Sequence, residues 1–84
     1  MPEGKNITDK ILDVFINEGI IEDKNEVNSD TLIREDLNLD SLSLIRLIMS
    51  LNTTFGIEIK SVEIIPENFA TMGNLEKFIR GRLI

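Results

Sequence analysis

The chain is 84 residues long, carries a formal net charge of −6 at pH 7 and has 42% hydrophobic residues. That length predicts one domain, residues 1–84, with enough apolar content for a folded core. An acidic chain lacks the basic face that supplies most of the affinity for nucleic acid, and anionic membrane surfaces repel it. Without cysteine or histidine, it can form neither a disulfide nor a thiolate zinc site.

We expect no segment that directs the chain to a membrane. Residues 1–5 lack the apolar stretch of a secretory signal peptide. No apolar run approaches the roughly 18 residues of a membrane span, and Arg46 interrupts the richest one. We therefore expect a cytoplasmic protein that does not insert into membranes. Because little hydrophobic surface is left over, we also expect a monomer.

The first helix is predicted over residues 5–18, where apolar residues recur at helical spacing. Asn6 or Thr8 is suited to cap its start, and Gly19 ends it. The apolar positions are Ile7, Ile11, Val14 and Phe15.

Residues 19–40 form a long connection that lacks sustained periodicity and is rich in Glu, Asp and Asn. Structureless connections longer than about 12–15 residues are uncommon in compact domains and are often functional. We expect apolar side chains to anchor this one to the core. They are Ile20, Ile21, Val27, Leu32, Leu37 and Leu39.

A second helix is predicted over residues 41–55 and ends at Gly56. One apolar stripe along it is assigned to the core. The stripe consists of Leu44, Leu47, Ile48, Leu51 and Phe55. A second apolar set, Leu42, Ile45 and Met49, lies off that stripe. It either widens the core face or forms an exposed docking surface.

Two more helices are predicted after Gly56. A short third helix is predicted at residues 61–65 and stops before Pro66, because the residue preceding proline disfavours helical geometry. A last helix over residues 72–82 is capped by Thr71. Its inward positions are Leu75, Phe78 and Ile79. The predicted fold is all-α, with three main helices, one short helix and the long connection between the first two.

A single hydroxyl, that of Ser41, is predicted to lie where the long connection becomes the second helix. The unpaired N–H groups of a helix start favour an anion attached there. With no histidine in the chain, only Asp40 is near enough in sequence to act as a base, so catalysis by this protein is not expected. Ser41 is therefore either a simple helix cap or a site that another enzyme modifies.

A calcium-binding loop is the competing motif in the same stretch. Asp36, Asn38 and Asp40 match the first, third and fifth positions of an EF-hand loop. Ser41 stands where that loop requires glycine, and Leu47 stands where it requires a bidentate glutamate. The stretch is therefore not expected to bind a metal ion.

Around Ser41 the chain resembles the acyl carrier protein family, including its peptidyl and aminoacyl relatives. The resemblance rests on Leu39-Asp40-Ser41-Leu42, on the preceding Glu35-Asp36-Leu37 and on the later Phe55-Gly56-Ile57-Glu58-Ile59. The helix spacing, the long first connection, the short third helix and the threonine-capped last helix agree over nearly the whole chain. In that setting the short Asp-Ser-Leu motif becomes specific.

The resemblance implies that a phosphopantetheinyl transferase attaches 4′-phosphopantetheine from coenzyme A to Ser41, with Asp40 orienting the modifying complex. The thiol of that arm would carry acyl or aminoacyl groups between ligases, acyltransferases and ketosynthases of fatty-acid, polyketide or related biosynthesis. Partner contacts are implied for Leu42, Ile45, Arg46, Met49, Glu35, Asp36 and Glu58. An acyl-chain lining is implied for Leu47, Ile59 and Ile65.

Two departures from the family pattern have consequences. Asn38 replaces a glycine found in many members, and asparagine tolerates left-handed backbone, so the turn is expected to survive. Between Ser41 and Phe55 there is no acidic residue, whereas fatty-acid carriers typically show several there. Rim charges chiefly set on-rate and partner choice. A specialised carrier, loaded by a dedicated acyl or aminoacyl ligase, is therefore favoured over a housekeeping carrier of fatty-acid synthesis.

The alternative from another functional class is a helical protein-interaction module. Such a module would dock a partner through Leu42, Ile45 and Met49 and would need no cofactor.

Overall fold

A computed structural model describes residues 6–83, and this part of the chain is all-helical, as predicted. Two short 3₁₀-helices, Lys24–Glu26 and Ser61–Glu63, lie in the connections. The α-helices are α1 (Ile7–Asn17), α2 (Ser41–Phe55), α3 (Pro66–Phe69) and α4 (Met72–Arg82). Within residues 6–83, no helix is both long and apolar enough to cross a bilayer.

The ends of the long helices follow from local backbone chemistry. The side chain of Asn6 accepts a hydrogen bond from the N–H of Asp9 at 2.8 Å and caps α1. Thr71 caps α4 by accepting from the N–H of Asn74 at 3.0 Å. Gly56 ends α2 in the left-handed region, with φ of 66°, which glycine adopts without a steric cost. These predicted caps are confirmed; the predicted first residue of α1, Lys5, lies outside the described residues.

The short third helix differs from its prediction. A 3₁₀-helix covers only Ser61–Glu63, and Ile65 is extended with ψ of 159°. The α-helix starts at Pro66, its first helical position. Proline suits this position because its fixed φ is helical and its missing N–H would have had no partner in the helix. Pro66 therefore begins α3, whereas the sequence pattern had suggested only that it ends a helix.

The core lies between α1, α2 and α4, and the predicted stripes face it. Phe15, Leu47, Leu51, Leu75 and Ile79 are all completely inaccessible to solvent. Phe55, at the end of α2, is only half-buried. The remaining core side chains are Ile11, Val14, Ile21, Ile33, Leu44, Ile48, Ile59, Phe69 and Met72.

The long connection is bonded to the chain around the start of α4. The N–H of Ile33 donates to the carbonyl of Ala70 at 3.0 Å, and the N–H of Met72 donates to the carbonyl of Thr31 at 3.0 Å. These bonds turn the Ile33 side chain fully into the core, whereas Leu32 is 39% exposed. The prediction that Leu32 anchors this connection was wrong, and its neighbour Ile33 does so.

Candidate functional site

Ser41 is the first helical residue of α2, and its side chain is exposed. The residue that caps the helix is Asp40, whose carboxylate accepts a hydrogen bond from the N–H of Ser43 at 2.8 Å. The interpretation of Ser41 as the cap was therefore wrong, because Asp40 is in the extended conformation that a cap requires. Within residues 6–83 the Ser41 hydroxyl has no hydrogen-bond partner.

The turn before Asp40 leads the chain into the start of α2. Asn38 is left-handed with φ of 60°, a conformation that asparagine tolerates better than most residues. The N–H of Leu39 donates to the carbonyl of Arg34 at 2.9 Å and closes the turn. Leu37 and Leu39 pack partly against the core. The expectation that asparagine can replace glycine in this turn is confirmed.

Asp40 is held in its charged form by the start of the helix. The N–H and the hydroxyl of Ser43 are the largest causes that lower the pKa of Asp40 below its ordinary value of 3.8. The N–H groups of Asp40 itself and of Leu42 act in the same direction. The positive end of α2 therefore favours the charged form of the Asp40 carboxyl beside Ser41.

This capping predicts a specific loss of stability in acid. A pKa that is lower in the folded state stabilises the fold above the unfolded value and ceases to do so as pH falls through the folded value. We expect the melting temperature of the wild-type protein to fall more steeply below about pH 4 than that of Asp40→Asn, since asparagine also caps helices but does not titrate. Parallel melting curves from pH 7 to pH 2.5 would contradict this assignment.

The second apolar set of α2 does not widen the core. Leu42, Ile45 and Met49 are 61%, 53% and 62% exposed. At 100° per residue, these three and Arg46 lie within about 100° of the helix circumference. We call these four residues the α2 face. Arg46 is exposed and makes no ion pair within residues 6–83, so the α2 face presents one free cation among apolar side chains.

The acidic residues expected to contact partners lie outside α2, two of them before it and one after it. Glu35, Asp36 and Glu58 are all exposed. The Asp36 carboxylate accepts a hydrogen bond from the N–H of Leu32 at 2.9 Å and so stabilises the turn before Ser41. A further acid, Glu18, which directly follows α1, accepts a hydrogen bond from the hydroxyl of Ser50. Sequence reasoning missed this contact, since it joins residues 32 positions apart.

A groove of about 250 Å³ lies between the long connection, α2 and α3. Of the three residues suggested as an acyl-chain lining, only Ile65 borders it. Leu47 is fully buried and Ile59 is 7% exposed, both within the core. The other residues lining the groove are Leu32, Arg34, Glu35, Leu44, Ile64, Pro66, Phe69 and Ala70. Only the position of α3 brings Phe69 here, and the sequence pattern placed no helix over that residue.

One family model and several known proteins resemble this chain over most of its length. A family model described as "Phosphopantetheine attachment site" matches residues 10–79. An acyl carrier protein of Cyanophora paradoxa is 35% identical over 79 residues, which cover 94% of this chain and 72% of the relative. An acyl carrier protein of Prochlorococcus marinus (strain MIT 9515) is 35% identical over 68 residues, covering 81% of this chain and 82% of the relative. The chain therefore belongs to the acyl carrier protein family, whose members are non-catalytic carriers with 4′-phosphopantetheine as their cofactor.

Proposed function

We propose that Ser41 is the residue that carries 4′-phosphopantetheine and that residues 1–84 act as one carrier domain. The observation that carries this proposal is the exposed Ser41 hydroxyl at the first position of a 15-residue helix. When bound, the cofactor supplies a thiol on which acyl groups travel as thioesters. The chain itself has no cysteine, so a reactive sulfur has to come from the cofactor.

The residues around Ser41 fit such a group. The Ser41 oxygen would form a new ester bond to the phosphorus of the pantetheine arm, while the pyrophosphate bond of coenzyme A breaks and adenosine 3′,5′-bisphosphate leaves. The serine proton would go to a base of the transferase, because the hydrogen bonds at the start of α2 lower the pKa of the adjacent Asp40 and make it a weak base. The resulting phosphodiester is an anion at a helix N-terminus, where it is stabilised.

The α2 face is the proposed docking surface for the transferase and for the enzymes that load and unload the carrier. Exposed leucine, isoleucine and methionine are typical of the centre of an interface, and methionine adapts to more than one partner. Glu35 and Asp36, before α2, and Glu58, after it, are the proposed acidic contacts, which steer basic partners toward this helix.

The groove beside Ile65 is the proposed shelter for a carried acyl chain. It is bordered by Leu44, one helical turn beyond Ser41, and by Ile64 and Phe69. Leu47 and Ile59 would join its lining only if the surrounding helices moved apart, since both are buried in the core.

A modification assay tests the assignment of Ser41. Incubation of the unmodified protein with coenzyme A, Mg²⁺ and a broad-specificity phosphopantetheinyl transferase is expected to add the mass of one phosphopantetheine. Failure of every competent transferase to modify the folded protein would contradict the proposal. It would favour the cofactor-free interaction module that docks through the α2 face.

We further propose a specialised carrier rather than the housekeeping carrier of fatty-acid synthesis. The support is the α2 face, where the one charge is that of Arg46 and α2 contains no acid. Glu18 adds a carboxylate near Ser50, so the acid-free surface is confined to the half of α2 nearer Ser41.

Loading assays test that specialisation. Adenylating acyl or aminoacyl ligases are expected to load the phosphopantetheinylated protein faster than a fatty-acid malonyl transferase does. Arg46→Glu places an acid on the α2 face and is expected to raise malonyl loading, because a rim charge mainly changes the rate of association. Lys77→Glu, at an exposed cation of α4, is the matched control. Efficient malonyl loading and chain elongation of the wild-type protein would contradict a specialised role.

A further inference from the structure

We infer that Arg82 is a positioning residue that fastens residues 58–63 to the end of α4 and thereby sets how readily the groove opens. The consequence for a carried acyl chain rests on the proposed function; the fastening itself does not.

The side chain of Arg82 makes three hydrogen bonds to this segment. Its Nη1 donates to both carboxylate oxygens of Glu63, at 2.8 and 2.9 Å. Its Nη2 donates to the backbone carbonyl of Glu58 at 2.8 Å. The guanidinium also lies 5.8 Å from the centre of the Phe78 ring. One side chain of α4 therefore holds both ends of the segment and is itself oriented by an aromatic ring.

Glu63 connects this contact to the backbone of the segment. Its carboxylate also accepts a hydrogen bond from the N–H of Lys60 at 2.9 Å, and its carbonyl accepts one from the side-chain amide of Asn68 at 2.8 Å. Ile64 and Ile65 follow directly and border the groove. A displacement of Glu63 would therefore move one wall of the groove.

Few other contacts hold the segment. Its one regular element is the 3₁₀-helix Ser61–Glu63, and Val62 within it is 80% exposed. Ile59 is buried, and its N–H donates to the side chain of Asn52 at 3.0 Å. Segments with few buried contacts open locally at lower cost than helices in a core. Removing Arg82 would leave Ile59 as the main anchor to the core.

Arg80 supplies a matched control. It lies two residues before Arg82 on the same helix, but its guanidinium pairs with Glu76 one turn away on α4 itself. Replacing Arg80 removes the same charge without touching residues 58–63. A difference between Arg82→Gln and Arg80→Gln therefore reports the contact and not the net charge.

Hydrogen exchange of the unmodified protein tests the fastening. In Arg82→Gln, the hydrogen-bonded amides among residues 57–65 are expected to exchange about tenfold faster than in wild type, because charge-assisted hydrogen bonds are lost. Arg80→Gln is expected to leave these amides unchanged. Glu63→Gln, which keeps the bond from Arg82 to Glu58, is expected to show a smaller acceleration. If the segment exchanged in Arg82→Gln at the same rate as in wild type, the inference would be overturned. A uniform acceleration of exchange across all four helices would overturn it too.

A second arm tests the consequence for cargo. With an octanoyl group on the phosphopantetheine arm, the methyl NMR signals of Leu44 and Ile65 are expected to shift further in Arg82→Gln than in wild type, since the groove opens more readily. Equal shifts in the two proteins would overturn this second part. Absence of any phosphopantetheine on Ser41 would instead count against the proposed function, while the exchange result on the unmodified protein would stand.

Discussion

Replacing Ser41 with alanine is expected to abolish attachment of phosphopantetheine while leaving the helical fold intact. The loss should be complete, because the proposed ester bond has no other oxygen at that position. Stability should change little, within about 0.5 kcal/mol, since Ser41 is exposed, does not cap the helix, and alanine is a good helix former. Intact-mass spectrometry after transferase treatment, together with a thermal melt, measures both effects.

Ser43→Ala is the matched control for this substitution. Ser43 lies in the same first turn of α2, and its hydroxyl interacts with Asp40, but it is half-buried rather than exposed. We expect Ser43→Ala to receive one phosphopantetheine, as wild type does. Modification of Ser41→Ala, or loss of modification in Ser43→Ala only, would show that the attachment site is misassigned.

The largest loss of stability is expected from Ile33→Ala, in the long connection. Ile33 is completely buried, and removing a buried isoleucine side chain typically costs about 2–5 kcal/mol. A domain of this size is expected to have only a few kcal/mol in total. The variant should therefore be largely unfolded, or unfold at a much lower urea concentration than wild type, as measured by circular dichroism.

The neighbouring substitution Leu32→Ala tests whether the loss of stability comes from the burial of Ile33 or from any truncation in the long connection. Leu32 is 39% exposed at the edge of the groove, so its truncation should cost no more than about 1.5 kcal/mol. Equal destabilisation by the two substitutions would contradict the burial of Ile33 and the register of the connection.

The contrast between Leu32 and Ile33 shows which part of the fold could not be predicted from the sequence. In α1, α2 and α4 a period of 3.6 residues identifies the buried face, and the predicted stripes proved correct. The long connection has no such period. Its register is set by backbone hydrogen bonds with Ala70 and Met72, which lie far along the chain. The local sequence therefore could not predict which of the two adjacent apolar residues is buried.

The candidate site, like the fold, was predictable from the sequence only in part. The position of Ser41 at the start of a helix followed from the apolar pattern after it and from the turn residues before it. The choice of cap did not, because both aspartate and serine are favoured caps, and only the extended backbone of Asp40 decides between them. The contacts of Arg82 join residues 19 and 24 positions apart, and no local pattern predicts them.

Fragmentation mass spectrometry of the modified wild-type protein measures directly which hydroxyl carries the cofactor. After treatment with coenzyme A and a phosphopantetheinyl transferase, we predict that the added mass is found on Ser41 alone. Its location on Ser43, Ser50 or any other residue would contradict the assignment of Ser41 as the attachment site.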